Sequence, residues 1–269
     1  MTSEELAWRI RRHGVEMTHL SHGSHIGSVL SAADIVAVLY ASQMNFNPLI
    51  PDNDSRDRFI LSKGHAGAAV YAALAETGFF PVEELKTHYA NGSRLSGHVS
   101  HKNVPGVEIS TGSLGHGLGV GCGMALTAMR DKKNHKVYVL MGDGECNEGS
   151  VWEAALFANH FKLSNLIVII DHNNLQSLGR CKDTLDLIDL AEKWRAFGWH
   201  VMESDGHNHD RLKYTLNCSR VSDKPFCIVA HTIKGKGISF MEDQVLWHYR
   251  DPQGEFYKKA VQELEGAQP

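Results

Sequence analysis

The sequence predicts an α/β fold: a parallel sheet flanked by helices on both faces. Two observations carry that prediction. From residue 114 onward, short apolar runs alternate with longer segments of helical periodicity. Strands that are apolar throughout, not at alternate positions, are buried on both faces, which is the habit of parallel sheets. In addition, no linker, internal repeat or low-complexity tract divides the 269 residues, so one domain over 1–269 is the economical reading.

Taken in order, Leu6, Ile10, Gly14 and Met17 recur at helical spacing. Ser31-Ala32-Ala33-Asp34 reads as a capping box opening a helix from Ile35 to Ser42, and a polar turn from Asn47-Pro48 to Asp54 closes that unit. Arg58 to Leu61 is a short strand, followed by a small-residue helix from Ala66 to Glu76 and a long aperiodic loop from Asn91 to Ser110. Loops of that length inside a domain are usually functional. The remaining strands are expected at Val137–Met141, Leu166–Ile170, Trp199–Glu203 and Phe226–Ala230. Helices are expected at Leu114–Met129, Ser150–Phe161, Leu187–Phe197, Asp210–Cys218 and Gly254–Glu263.

Composition removes several function classes. With 42% hydrophobic residues, 22% charged residues and a net charge of −4, nothing favours a polyanion, so nucleic acid is not an expected partner. The longest strongly apolar run, Leu166 to Ile170, is too short for a bilayer, and MTSEELAWRIRRHG has no apolar signal core. A cytoplasmic protein is expected. Five widely spaced cysteines without a CxxC pair argue for reduced thiols over disulfides or zinc. Seventeen histidines are many for this length. Each one alone reads as structural, but Gly64-His65, Gly97-His98 and Gly115-His116 group them beside glycines as a site would.

Parallel sheets bind ligands at the carboxyl ends of their strands. After Val137–Met141 comes Gly142-Asp143-Gly144-Glu145, and after Leu166–Ile170 comes Asp171-His172-Asn173-Asn174-Leu175. Either could be a simple turn. Together, thirty residues apart on successive strands, they place a carboxylate and an amide oxygen where magnesium could bridge them to a diphosphate.

Here the sequence resembles the transketolase family. Its signature segments are Ser62-Lys63-Gly64-His65-Ala66, Gly112-Ser113-Leu114-Gly115-His116-Gly117, Gly142-Asp143-Gly144-Glu145 with Glu148-Gly149, and Asp171-His172-Asn173-Asn174-Leu175-Gln176. Ser24-His25-Ile26-Gly27, Leu95-Ser96-Gly97-His98 and Lys234-Gly235-Lys236-Gly237 with Trp247-His248 complete the order. The resemblance covers the thiamine-diphosphate-binding portion of a transketolase and leaves the pyrimidine-binding and C-terminal domains without a counterpart. It therefore implies the N-terminal subunit of a split transketolase. Such a subunit works with a second one carrying the pyrimidine-binding domain, in an α2β2 assembly acting on sugar phosphates.

The resemblance also implies roles. Asp143, Asn173 and the Leu175 carbonyl would ligate magnesium, or calcium or manganese in its place. His65, Gly112, Leu114, Gly142, Gly144, Glu145, Asn173 and His248 would bind thiamine diphosphate. His25 and His98 would contact the transferred ketol unit, with His248 near the reaction centre. Glu148 would hydrogen-bond the activating glutamate of the partner subunit. Ser113 stands where many full-length members have proline, and His116 where glutamine is common. Ser28 replaces a frequent glycine or proline-containing stretch. These departures bear on the donor sugar more than on the cofactor.

Two alternatives compete. One is another thiamine-diphosphate enzyme, such as a 1-deoxyxylulose-5-phosphate synthase or a two-oxoacid dehydrogenase subunit. The pair His25 and His98, suited to polyol substrates, argues against the dehydrogenases, and the short insert between Gly117 and Val137 with the complete Gly97-His98 motif favours transketolase over the synthase. The other is a non-catalytic homologue that binds no cofactor, whose mark would be lost metal ligands or channel histidines. None is lost.

Overall fold

The computed structural model describes residues 1–269. Helix α1 (Ser3–Ser21) starts where the Thr2 hydroxyl accepts from the Glu5 amide, and stops at left-handed His22. It packs on α2 (Ile26–Val38), and Gly14 permits the approach, since a Cβ there would lie 2.7 Å from Val29 Cγ1. Helix α2 is buried on every side and runs into a π-helical turn, Leu39–Gln43. This corrects the capping-box reading. Ser31 and Asp34 lie inside α2: Ser31 Oγ reaches the Ser28 carbonyl and Asp171, Asp34 accepts from Arg11, and neither side chain accepts from the amides of a helix start. The stretch Ile26–Gln43 also corrects the expectation of no long apolar segment. It is long and apolar enough to cross a membrane, but 89% of it is buried inside the fold.

Next come β1 (Arg58–Leu61), α3 (Gly67–Glu76), α4 (Gly117–Arg130), β2 (Val137–Gly142), α5 (Gly149–His160) and β3 (Leu166–His172). The chain then forms α6 (Cys181–Thr184), α7 (Leu190–Ala196), β4 (His200–Asp205), α8 (His209–Ser219), β5 (Phe226–His231) and α9 (Glu255–Gly266). The five strands form one sheet in the order β1-β2-β3-β5-β4, parallel throughout. All five lie where the sequence predicted, with ends moved by no more than two residues. Helix α4 begins at Gly117, not Leu114, because positive-φ Gly112 and Gly115 hold the preceding loop out of helical geometry. Helix α7 begins at Leu190, where the Asp189 carboxylate accepts from the Glu192 amide.

Strand residues alternate between two cores. Tyr138, Leu140, Ile167 and Ile169 join α1, α2, α3, α8 and α9 in a cluster of 47 buried residues. Val139, Met141, Val168 and Ile170 join α4, α5 and α7 in one of 23. The second layer is the thinner, and its outer side keeps Met129, Leu156, Phe157 and Phe161 exposed.

Candidate active site

The carboxyl ends of β1, β2, β3 and β5 open onto one cleft of about 340 Å³. Strand β1 delivers Lys63 and His65, β2 delivers Asp143 to Glu145, β3 delivers Asn173 and Leu175, and the turn after β5 delivers Lys234. The pairing of Gly142 with Asp171 sets the two acidic loops side by side.

On the cleft floor, Asp143 accepts from the Gly144 amide at 2.7 Å and the Asn174 amide at 2.6 Å. Asn173 donates through Nδ2 to Asp171 at 3.3 Å, and its Oδ1 accepts from the Leu175 amide at 3.1 Å. The Leu175 carbonyl accepts from Lys234 Nζ at 2.9 Å. Burial, then the Asp171 charge, pushes the Asp143 carboxyl above its ordinary value. A buried carboxyl raised in this way marks a place short of positive charge. The donors on offer are a carboxylate, an amide oxygen and a main-chain carbonyl, all hard oxygens suited to magnesium or calcium. The residues therefore fit a divalent cation. Glu145 also lines the cleft, but its carboxylate is held by protein donors: Ser62 Oγ, the Gly115 amide at 2.9 Å and the Gly142 amide at 3.2 Å.

Above the floor, four imidazoles form a continuous wall. His25 lies 5.1 Å from His65, 5.6 Å from His98 and 4.9 Å from His248, centroid to centroid. His25 is left-handed, with φ 75°, and its amide donates to the His248 carbonyl at 2.7 Å. His248 Nδ1 accepts from Lys234 Nζ at 2.9 Å. Burial, reinforced by the other imidazoles and by Lys63 and Lys234, pushes His25 down to about 4 and His248 down to about 3. The same causes push His65 well below its usual value. Burial, followed by the Lys63 charge, pulls Lys234 down to about 8. The upper cleft is thus crowded with cations and neutral donors, an environment that an anionic ligand would relieve.

The long loop closes one side. Thr111 Oγ1 donates to the Leu61 carbonyl at 2.6 Å, and a Cβ on Gly64 would lie 2.5 Å from the Thr111 carbonyl carbon. Gly112 lies flat against the His98 ring, where a Cβ would come within 2.8 Å of Cδ2. Leu114 is half-buried in the cleft wall, and Glu148 is exposed at its rim. All the candidate residues named from sequence line this one cleft.

The family model for the transketolase thiamine diphosphate binding domain matches residues 2–250. The chain belongs to the transketolase family. Among its relatives, an apulose-4-phosphate transketolase subunit of Phocaeicola vulgatus is 43% identical, over 94% of this chain and 90% of its own length. The 6-deoxy-6-sulfo-D-fructose transketolase subunit SqwG of a Clostridium species is also 43% identical, over 90% and 88%. Human transketolase is 38% identical over 97% of this chain but only 42% of its own length. The crystal structure of Campylobacter jejuni transketolase superposes with a TM-score of 0.90 at 30% identity, covering 98% of this chain and 42% of that one.

Other residues of this transketolase cleft carry no role in the reading from sequence, and three of them matter for its chemistry. Lys63, Lys234 and Tyr249 line it beside the expected set. The two lysines had a signal, since each stands directly before a glycine, two or three residues past a strand end. Tyr249 had none. Its ring packs against His25 and His248, centroids 5.9 and 4.7 Å away, and only the fold reveals this.

Proposed function

We propose that this chain is the cofactor-binding subunit of a two-subunit transketolase, moving a two-carbon ketol unit from a ketose phosphate to an aldose. One observation carries the reading. The chain spans about nine-tenths of relatives that are themselves named as transketolase subunits, but only 42% of full-length transketolases, while all the candidate residues line one cleft at the carboxyl ends of its strands. The rim supports a partner there. Glu148 is exposed, and Leu178, in the loop that follows Leu175, and Ile188, between α6 and α7, are 83% and 84% exposed.

In this reading Asp143, Asn173 and the Leu175 carbonyl hold magnesium, or calcium or manganese in its place. His65, Lys234 and His248 donate to the diphosphate, and Gly142 and Gly144 let it approach the backbone. Gly112 and Leu114 would contact the aminopyrimidine, and Glu145 steadies their loop by accepting from the Gly115 amide. Bound thiamine diphosphate supplies the electron sink for carbon–carbon cleavage. His25 and His98 orient the sugar hydroxyls and carbonyl and shuttle protons, which neutral imidazoles can do as acceptors. Glu148 shares a proton with the partner's activating carboxylate. The assembly is α2β2 and cytoplasmic, consistent with five free thiols. The relatives' names, one a sugar phosphate and one a sulfo-sugar, support a donor ketose with an anionic group at its far end.

The test is reconstitution. The purified chain should give negligible transfer from xylulose 5-phosphate or other anionic ketoses, and adding the subunit that carries the pyrimidine-binding domain should restore it. Robust transfer by the chain alone, free of host transketolase, would sink the proposal.

A further inference from the structure

Behind the turn that carries Lys234, away from the cleft, lies a buried carboxylate that the reaction does not use. Asp34 of α2 accepts from Arg11 Nη1 at 3.0 Å and Nη2 at 2.5 Å, from His209 Nε2 at 3.0 Å and from His207 Nδ1 at 2.6 Å. Asp34, Arg11 and His209 are all less than 10% exposed. Burial alone would raise the Asp34 carboxyl, but the Arg11 charge and the bonds from His207 and His209 hold it well below the usual range.

Two of these donors reach on to the same turn. The Ile233 amide donates to His207 Nε2 at 2.7 Å, which leaves the His207 proton on Nδ1, facing Asp34. Arg11 Nε donates to the Lys236 carbonyl at 3.0 Å. One carboxylate therefore grips both ends of the Ile233–Lys236 turn, through His207 at the front and Arg11 at the back. Between those ends Lys234 sends its ammonium into the cleft, to the Leu175 carbonyl and His248. His209 shares the carboxylate, yet its other contact is with Glu4, 3.7 Å away, and not with the turn.

We propose that His207, oriented by Asp34, is a positioning residue for cofactor binding: it fixes the turn that aims Lys234 at the diphosphate. This rests on the thiamine diphosphate reading above. It follows the logic by which outer partners orient the groups that touch a ligand, where loss of one such partner typically costs about 10- to 100-fold in affinity.

The contrast between two histidines on one carboxylate supplies the test. His207→Phe keeps the ring and removes both bonds. His207→Gln keeps an acceptor for Ile233 and a donor for Asp34. His209→Phe removes a bond to Asp34 without touching the turn. Two quantities are measured on the full chain: amide hydrogen exchange at Ile233–Lys236, and calorimetric affinity for thiamine diphosphate with magnesium in the presence of the partner subunit. His207→Phe should speed exchange and weaken binding about tenfold. His207→Gln should restore both toward wild type, and His209→Phe should lower the melting temperature while leaving both unchanged. Equal effects from His207→Phe and His209→Phe, or none from His207→Phe, would overturn the assignment. Should His207→Phe fail to fold, His207→Asn, too short to span both partners, replaces it with the same expectations. A wild-type chain that binds no thiamine diphosphate would remove the functional reading instead, and the exchange comparison would still decide whether His207 fixes the turn.

Discussion

The Lys63 ammonium donates to the Asp171 carboxylate at 2.5 Å, with side chains only 2% and 0% exposed. Asp171 also accepts from Ser31 Oγ at 2.6 Å and from Thr232 Oγ1, so one buried charge ties the ends of β1, β3 and β5 to α2. Burial alone would raise the Asp171 carboxyl, but Lys63 and these hydroxyls hold it below its usual value. The cleft floor is hung from this point.

Lys63→Met should therefore cost about 3–5 kcal/mol of stability, because it strands a buried carboxylate beside Asp143. Lys63→Met with Asp171→Asn should recover part of the loss. Urea denaturation of the two variants measures it, and equal midpoints for single and double variants would contradict the account.

Asp143→Asn should weaken magnesium-dependent thiamine diphosphate binding by about 100-fold, since the only expected carboxylate ligand is gone. The ligand-free protein should melt no lower than wild type. Its Asp143 carboxyl is raised by burial and by Asp171, so removing that charge relieves the fold while it ruins the site. Calorimetry and a melting curve on one preparation give both numbers.

His25→Ala and His98→Ala should keep cofactor affinity and lose about 100-fold in turnover. Both imidazoles belong to the wall above the floor, and neither bonds to Asp143, Asn173 or Leu175. A variant with full turnover at saturating donor would remove that histidine from the substrate's path.

Acid should destabilise the fold within a defined window. His88 is 5% exposed, and burial pushes it from 6.5 down to about 4. The unfolded chain takes up a proton there that the native chain refuses. Stability is thus present above pH 6.5 and is lost as pH falls toward 4, by at most about 1.4 kcal/mol per pH unit for each such group. His25 and His248 act with the same sign. Asp143 and Glu145, raised in the fold, act against it. His88→Phe should flatten the slope of unfolding free energy between pH 6.5 and 4, and an unchanged slope would show that His88 does not titrate as its burial implies.

Strands β1, β2, β3 and β5 were legible because each carries a buried apolar run between glycine or polar turns, whereas β4, at the sheet edge, is mostly polar, with His200, Glu203 and Asp205 exposed. Helix α2 was misread for the opposite reason. Ser31 and Asp34 look like a cap locally, but their partners, Asp171 and Arg11, lie 140 and 23 residues away. The cleft was legible wherever a residue's chemistry travels with its motif, as for Asp143 and Asn173. Tyr249 and the Asp34–His207 pair were not, because their contacts arise only when β4, β5 and the first helices are assembled.

The bond from the His25 amide to the His248 carbonyl joins positions 223 residues apart at the histidine wall. A ribosome must release the chain through His248 before that bond can form. The histidine wall thus closes only after all five strands have been made, and an interrupted translation product ending short of His248 would have the sheet without the complete wall.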